Sequence, residues 1–134
     1  MAQFNKEYYN LKENKLNKYY ISKAIEEANN SDGGPFGAII IKDGNIISTG
    51  NNKVSVLNDP TAHAEIIAIR NACQKIQNFS LEGCTLYTSC EPCPMCLSAI
   101  YWSRINKVYY ANTSEDAASI NFDDKEIYEE LFKN

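Results

Sequence analysis

The 134-residue chain lacks a long apolar run, and its longest candidate, Phe36 to Ile41, is no longer than a β-strand. A helix that spans a bilayer needs about 20 consecutive apolar residues, so we expect no membrane role. The N-terminus also lacks a charged segment followed by an apolar run and a cleavage site, the pattern of a secretory leader. These absences predict a cytoplasmic protein.

The chain also lacks a surplus of positive charge. Its 13 Lys and Arg residues against 17 Asp and Glu give a formal net charge of −4 and a sequence pI near 5.0. A broad phosphate-binding surface needs clustered cations, so a nucleic-acid partner is disfavoured and a small-molecule substrate is expected. The five cysteines are an odd number for a disulfide framework, and a chain of this length buries roughly two-thirds of its unfolded surface without one. We therefore expect reduced thiols in a single domain over residues 1–134.

The apolar pattern predicts alternating helices and strands. It indicates a first helix within Tyr8 to Asn29, and isoleucine-rich runs joined by Asp43-Gly44-Asn45 indicate a β-hairpin because Asp-Gly turns take positive φ easily. The remaining predicted elements are a helix from Ala62 to Ile76 behind a start signal at Asn58-Asp59-Pro60, a strand from Cys84 to Thr88, a helix from Pro94 to Trp102, a strand from Lys107 to Ala111 and a last helix from Asp124 to Phe132. This order predicts an α/β protein whose central mixed sheet has helices on both faces.

Two segments carry the residue types of a metal site: Pro60-Thr61-Ala62-His63-Ala64-Glu65 and Cys90-Glu91-Pro92-Cys93-Pro94-Met95-Cys96. Cys93 and Cys96 are three residues apart, so they share one face of a helix start, where the positive end of the helix dipole favours thiolates. Together with His63 they supply three zinc ligands and leave the fourth tetrahedral position free for water, which distinguishes a catalytic site from a closed structural one. The sequence predicts one zinc ion per chain on these three ligands.

Glu65 is the candidate proton-transfer group. In the middle of a helix, residues two apart point in different directions, so the joint use of His63 and Glu65 requires a helix-start geometry. There, an unligated Glu65 can take a proton from water and deliver it elsewhere. His-x-Glu followed by Pro-Cys-x-x-Cys is a zinc deaminase signature, which predicts a zinc hydrolase. Cys73, Cys84 and Cys90 lack such partners and are expected to be buried or incidental.

The chain resembles the cytidine deaminase superfamily, and more closely the bacterial guanine deaminases, from about Gly33 to Glu130. The segments that carry the resemblance are Gly-Gly-Pro-Phe-Gly-Ala at 33–38, Asn-Asp-Pro-Thr-Ala-His-Ala-Glu at 58–65, Tyr-Thr-Ser-Cys-Glu-Pro-Cys-Pro-Met-Cys-Leu at 87–97, Ser-Ala-Ile-Tyr-Trp at 98–102 and Asn-Phe-Asp-Asp at 121–124. The resemblance implies a three-layer α/β/α cytidine deaminase-like fold with a sheet of four to five strands, a homodimer, and hydrolysis of guanine to xanthine and ammonia in purine metabolism.

The resemblance also implies which residues meet the substrate. By matching position, Asn52 would hydrogen-bond the purine, Phe36 and Trp102 would wall the pocket, and Asp124 would read the amino or ring N–H edge of guanine. The backbone around Ala64 would orient the attacking water or the base. Without the resemblance, Asn52 could merely close a strand end, the two aromatic residues could belong to the core, and Asp124 could cap a helix.

The C-terminal end departs from this family. Guanine deaminases of this type usually continue well past the segment that matches Asp124 to Leu131, and their C-terminal part exchanges between subunits to close the active site. This chain ends at Asn134. We expect either that Asp124 and the last helix cross to the partner and suffice, or that the pocket is more open and the substrate differs.

Two other functions remain open from the sequence. A tRNA adenosine deaminase resembles the chain through Pro35-Phe36-Gly37-Ala38, the zinc motifs and Ser103-Arg104-Ile105, and Lys53 and Arg104 could contribute to RNA binding. A deaminase of another small base or nucleoside is also compatible with the motifs. A binding module with purely structural zinc is a different class, but it gives no use to the free Glu65 carboxylate.

Overall fold

The structure, a computed structural model, describes residues 7–10, 15–112 and 125–133. Its elements, in chain order, are β1 (Glu7–Asn10), α1 (Lys15–Asn29), β2 (Gly37–Lys42), β3 (Asn45–Asn51), α2 (Val54–Leu57), α3 (Ala64–Ile76), β4 (Thr85–Cys90), α4 (Pro94–Ser103), β5 (Lys107–Asn112) and α5 (Lys125–Phe132). Among the helices of these residues, none has the length and apolar character needed to cross a bilayer.

The five strands form one mixed sheet in the order β1-β5-β4-β2-β3. Strands β1 and β4 run parallel to β5, whereas β2 runs antiparallel to β4 and β3. Neighbouring parallel strands need a crossover connection, which α4 supplies between β4 and β5. The predicted mixed sheet of four to five strands is confirmed.

Helices cover both faces of this sheet. Successive side chains of a strand point to opposite faces, so Ile39 and Ile41 pack with α1 on one face. Ala38 and Ile40 join the second core, which includes buried residues of α3 and α4. The result is the predicted three-layer α/β/α arrangement.

The first segment differs from the prediction. The sequence pattern places Tyr8 to Asn10 in a helix, but they form most of β1, with Tyr9 paired to Tyr109 of β5, and the helix begins at Lys15. The helical spacing holds only over the second half of the predicted range, and two successive aromatic residues favour a strand beside another strand. The helix prediction was wrong for this segment.

The predicted start of α3 was also wrong. Asn58 has φ 53° and ends the one-turn helix α2, which the sequence did not predict, and Pro60 lies in the turn that follows. Helix α3 begins at Ala64, with His63 as its N-cap residue. Because α2 uses Asn58 as its C-cap, the start signal lies several residues before the true start.

The segments that build the site meet at one end of the central strands. Strand β4 ends there at Cys90, and Gly37, the first residue of β2, pairs with Asn51, the last residue of β3. Because β2 runs opposite to both neighbours, its start lies beside their ends. The loops before β2, after β3 and after β4 therefore meet at this end of the strands.

A candidate zinc centre with a buried carboxyl group

The starts of α3 and α4 bring the three predicted ligands together. The His63 Nδ1 atom lies 3.6 Å from the Cys93 Sγ and 3.5 Å from the Cys96 Sγ. All three candidate ligand atoms lie within 4.8 Å of one another. Two ligands of a tetrahedral zinc ion, one imidazole and one thiolate, lie roughly 3.6 Å apart. The donor set and its spacing therefore fit zinc, as predicted from the sequence.

Both helix starts use a metal-ligand residue as the N-cap. His63 has φ −68° and ψ 160°, and Cys93 has φ −68° and ψ 169°, so both residues are extended. Neither side chain makes the usual capping hydrogen bond, and both turn toward the shared cluster. The extended backbone takes His63 off the helical lattice, which lets it face the same space as Glu65, as the sequence analysis required. Pro94 occupies the first turn of α4, where its missing N–H costs nothing.

Hydrogen bonds within the cluster shift the pKa values of the two thiols in opposite directions. The bond from the Cys96 thiol, together with that from the His63 ring, lowers the pKa of Cys93 to about 4. The same bond to Cys93, and burial, raise the pKa of Cys96. The bond to Cys93 also raises the pKa of His63. Because cysteines bind zinc as thiolates, a bound ion would require both thiols to lose their protons.

Glu65 lies in the first turn of α3 and is 6% exposed. Burial raises the pKa of its carboxyl group to about 7, against the opposing hydrogen bonds from its own backbone N–H and from Cys96. A group that accepts and then gives a proton works best when its pKa lies near the working pH. The set of metal-ligand atoms does not include this carboxyl group, so the site combines a three-ligand cluster with a free acid beside it.

Asn52 is 7% exposed and follows β3 directly. Its Oδ1 accepts a hydrogen bond of 2.9 Å from the Val54 N–H. Its backbone N–H donates to the Phe36 carbonyl at 3.2 Å, and the Ser31 hydroxyl donates to its carbonyl at 3.0 Å. Because Oδ1 is engaged, the side-chain NH₂ is the group that can donate to a ligand. Asn52 therefore closes the strand end, and the Val54 N–H fixes its carboxamide.

The other residues predicted to meet the substrate lie at different depths. Phe36 is half-buried and packs against the core that contains α3. Ala64 is fully buried and opens α3, where backbone N–H groups lack acceptors within the helix. Trp102 is 79% exposed near the end of α4, so the core alternative is wrong for this residue. Asp124 lies outside the described residues.

Gly50, which the sequence analysis did not identify, sets the approach of α3 to the sheet. A Cβ atom at this position would lie 2.4 Å from the Ala64 carbonyl oxygen and 2.6 Å from the Ala68 nitrogen. The Ser48 hydroxyl donates to the Ala68 carbonyl at 2.9 Å on the same side. A glycine inside a strand often marks such a close backbone approach, and that signal was present in the sequence.

The profile of the cytidine and deoxycytidylate deaminase zinc-binding region matches residues 14–112. The chain therefore belongs to the cytidine and deoxycytidylate deaminase family, and it is a zinc-dependent hydrolase of that type. Guanine deaminase from Bacillus subtilis (strain 168) is 55% identical to it over 116 residues, which make up 87% of this chain and 74% of that protein.

A solved structure and a tRNA-specific adenosine deaminase are also similar to this chain. The X-ray structure of guanine deaminase from Bacillus subtilis matches with a TM-score of 0.84 and 52% identity, covering 87% of this chain and 77% of that chain. The tRNA-specific adenosine deaminase of Aquifex aeolicus (strain VF5) is 47% identical over 97 residues, which make up 70% of this chain and 64% of that protein. The resemblance, the fold class and the zinc cofactor predicted from the sequence are confirmed.

Proposed function

We propose that this protein hydrolyses guanine to xanthine and ammonia. The observation that carries the proposal is the buried Glu65 carboxyl group beside the cluster of His63, Cys93 and Cys96. The chain is 55% identical to a guanine deaminase over most of its length, which favours guanine over other amino-substituted bases.

The residues around the metal divide the work. His63, Cys93 and Cys96 would hold one zinc ion, which supplies a Lewis acid that lowers the pKa of water. Glu65 accepts a proton from the water that adds to C2 of guanine. It delivers this proton to N3 of the ring, then takes the second proton of the former water and gives it to the amino group as the C2–N bond breaks, so that water and guanine become xanthine and ammonia. A carboxyl pKa of about 7 suits both halves of this transfer.

The substrate residues would orient the purine over the metal. The NH₂ group of Asn52 can donate to an acceptor of the ring, because Val54 holds the other end of its carboxamide. Phe36 and Trp102 would wall the pocket, and the backbone at Ala64 would help to orient the water or the base. Asp124 would accept hydrogen bonds from the amino or ring N–H edge of guanine.

We also propose that the protein is a cytoplasmic homodimer. Helix α5 exposes Ile127, Leu131 and Phe132, and apolar patches of this kind often mark interfaces. Its Tyr128 hydroxyl donates to the Pro92 carbonyl at 3.2 Å, next to the turn that carries Cys93. In a dimer with exchanged C-terminal segments, the partner would supply the same contact. Sedimentation equilibrium tests the dimer, and a single species with the mass of one chain would contradict it.

Ammonia release tests the function itself. The purified, zinc-loaded protein is offered guanine, adenine, cytosine, their nucleosides and an anticodon stem-loop, with chelator-stripped protein as the control. We expect turnover of guanine, its loss on stripping, and its return on addition of zinc. Turnover of the stem-loop alone would move the assignment to a tRNA adenosine deaminase, and turnover of another base alone would contradict guanine as the substrate.

A further inference from the structure

Asp59, Thr61 and Arg70 form a hydrogen-bonded cluster on the turn that leads to the metal ligand His63. The Asp59 Oδ1 atom accepts hydrogen bonds from the Thr61 backbone N–H at 2.9 Å and from the Thr61 hydroxyl at 2.7 Å. The Arg70 Nη1 lies 3.6 Å from the Asp59 Oδ2, and its Nη2 lies 3.5 Å from the Thr61 Oγ1. One carboxylate therefore closes the turn on itself and joins it to α3.

Backbone hydrogen bonds extend this order through the whole turn. The Ala62 N–H donates to the Asp59 carbonyl at 3.1 Å, and the His63 N–H donates to the Thr61 carbonyl at 2.8 Å. The Lys53 N–H donates to the Ala62 carbonyl at 2.9 Å, which ties the turn to the chain just before α2. The backbone that carries His63 is thus fixed from both sides.

The charges of the cluster favour this closed form. The Thr61 hydroxyl is the largest cause that lowers the pKa of the Asp59 carboxyl, and Arg70 acts in the same direction. Side chains of Asp59 and Arg70 remain 33% and 54% exposed, and an ion pair in such a position contributes little to stability. The cluster therefore acts chiefly by fixing the shape of the turn before His63.

We infer that Asp59, Thr61 and Arg70 are positioning residues that hold His63 in its zinc-binding orientation. Within the described residues, the His63 ring contacts the two cysteines of the cluster, so its position relative to them depends on the backbone that carries it. Partners that hydrogen-bond a metal ligand directly change metal affinity about 10- to 100-fold, and because this cluster acts through the backbone we expect an effect near the lower end of that range. The pattern Asn58-Asp59-Pro60 indicates a helix start in the sequence, and this role of Asp59 and Thr61 was missed.

The test measures zinc retention by the full-length chain in competition with a chromophoric chelator. Thr61→Val removes the hydroxyl but keeps the shape and the backbone N–H, and Thr61→Ser restores a hydroxyl. We expect the zinc Kd to rise about tenfold in Thr61→Val and at least as much in Asp59→Ala. Thr61→Ser should stay near the wild-type value. Lys23→Ala is the matched control. It removes a comparably exposed ion pair on α1, in which the Lys23 Nζ lies 3.3 Å from the Glu26 Oε2.

A zinc Kd within about twofold of wild type in Thr61→Val would overturn the inference, since typical outer-partner effects are larger. A lowered Tm at saturating zinc with an unchanged zinc Kd would also overturn it, because the cluster would then be structural only. The comparison of Thr61→Val with Thr61→Ser tests the inference even if the Asp59→Ala protein does not fold. Chelator competition uses no substrate, so a failure of guanine hydrolysis would leave this inference standing.

Discussion

The metal side and the proposed substrate side of the site are built in different ways. The three ligands come from two short motifs, each at a helix start with an extended N-cap residue. Phe36, Asn52 and Trp102 come from three separate segments, and their exposure ranges from 7% for Asn52, through half-buried for Phe36, to 79% for Trp102. The contrast teaches that each motif places its own metal ligands, whereas the residues proposed to meet the substrate take their positions from the packing of separate segments.

The largest expected effect is on the metal side, from Cys93→Ala. Removal of one of three ligands should abolish stoichiometric zinc binding and lower the Tm, because metal binding and folding are coupled. Metal analysis of the purified protein measures the first effect and thermal unfolding the second. Cys73→Ala, a half-buried cysteine outside the cluster, is the control and should keep its zinc. A metal-replete Cys93→Ala protein would mean that the ligands are wrongly assigned.

Gly50→Ala should disturb the metal side from a distance. The added Cβ would lie 2.4 Å from the Ala64 carbonyl oxygen, so α3 must shift together with His63 and Glu65. Overpacking of this kind typically lowers the free energy of unfolding by about 1–3 kcal/mol, and we expect weaker zinc binding as well. Denaturant unfolding and chelator competition measure the two effects.

The control for this prediction is Gly83→Ala, where a Cβ would meet open space but the φ of +85° is strained. It should reduce stability without weakening zinc binding. Equal zinc affinities for the two variants would contradict the role assigned to Gly50.

Asn52→Asp tests the substrate side alone. The new side chain keeps an oxygen for the Val54 N–H but loses the NH₂ donor. Loss of one hydrogen bond to a buried group costs about 1–3 kcal/mol, so kcat/KM for guanine should fall roughly 10- to 100-fold with zinc content unchanged. Steady-state kinetics measure this, and Asn45→Asp in the exposed hairpin turn is the control. Unchanged kcat/KM would remove Asn52 from the substrate side.

Trp102→Ala should have the smallest effect on stability. Because Trp102 is 79% exposed, the free energy of unfolding should change by no more than about 0.5 kcal/mol, as for most surface substitutions. Ile100→Ala, at a fully buried position of the same helix, should cost about 2–5 kcal/mol. Denaturant unfolding of both proteins compares them, and similar losses would show that Trp102 belongs to a packed core.

The same contrast explains how far the sequence could be interpreted. His63, Cys93 and Cys96 could be predicted because each motif positions its own ligands through a helix start. The Asp43-Gly44 turn was predictable for the same reason, and its residues take φ values of 51° and 78°. Local chemistry decides both features.

Features that depend on remote contacts could not be predicted in this way. Strand β1 pairs with β5, which lies far along the chain. Asn58 ends α2 through a local contact, but its residue type equally fits a helix start, so the pattern could not distinguish the two roles. The importance of Gly50 comes from the helix that packs on it. The exposure of Trp102 likewise depends on packing, and no motif near this residue predicts that packing.

The most direct test of the account measures guanine turnover and zinc content in the same preparation of Glu65→Gln. This variant keeps the size of the side chain but cannot transfer a proton. We predict that turnover falls by at least about 100-fold, as expected for loss of a general acid and base, while one zinc ion per chain is retained. Retained turnover, or a loss of zinc that parallels the loss of turnover, would contradict the assignment of Glu65 as a free proton carrier beside a three-ligand metal site.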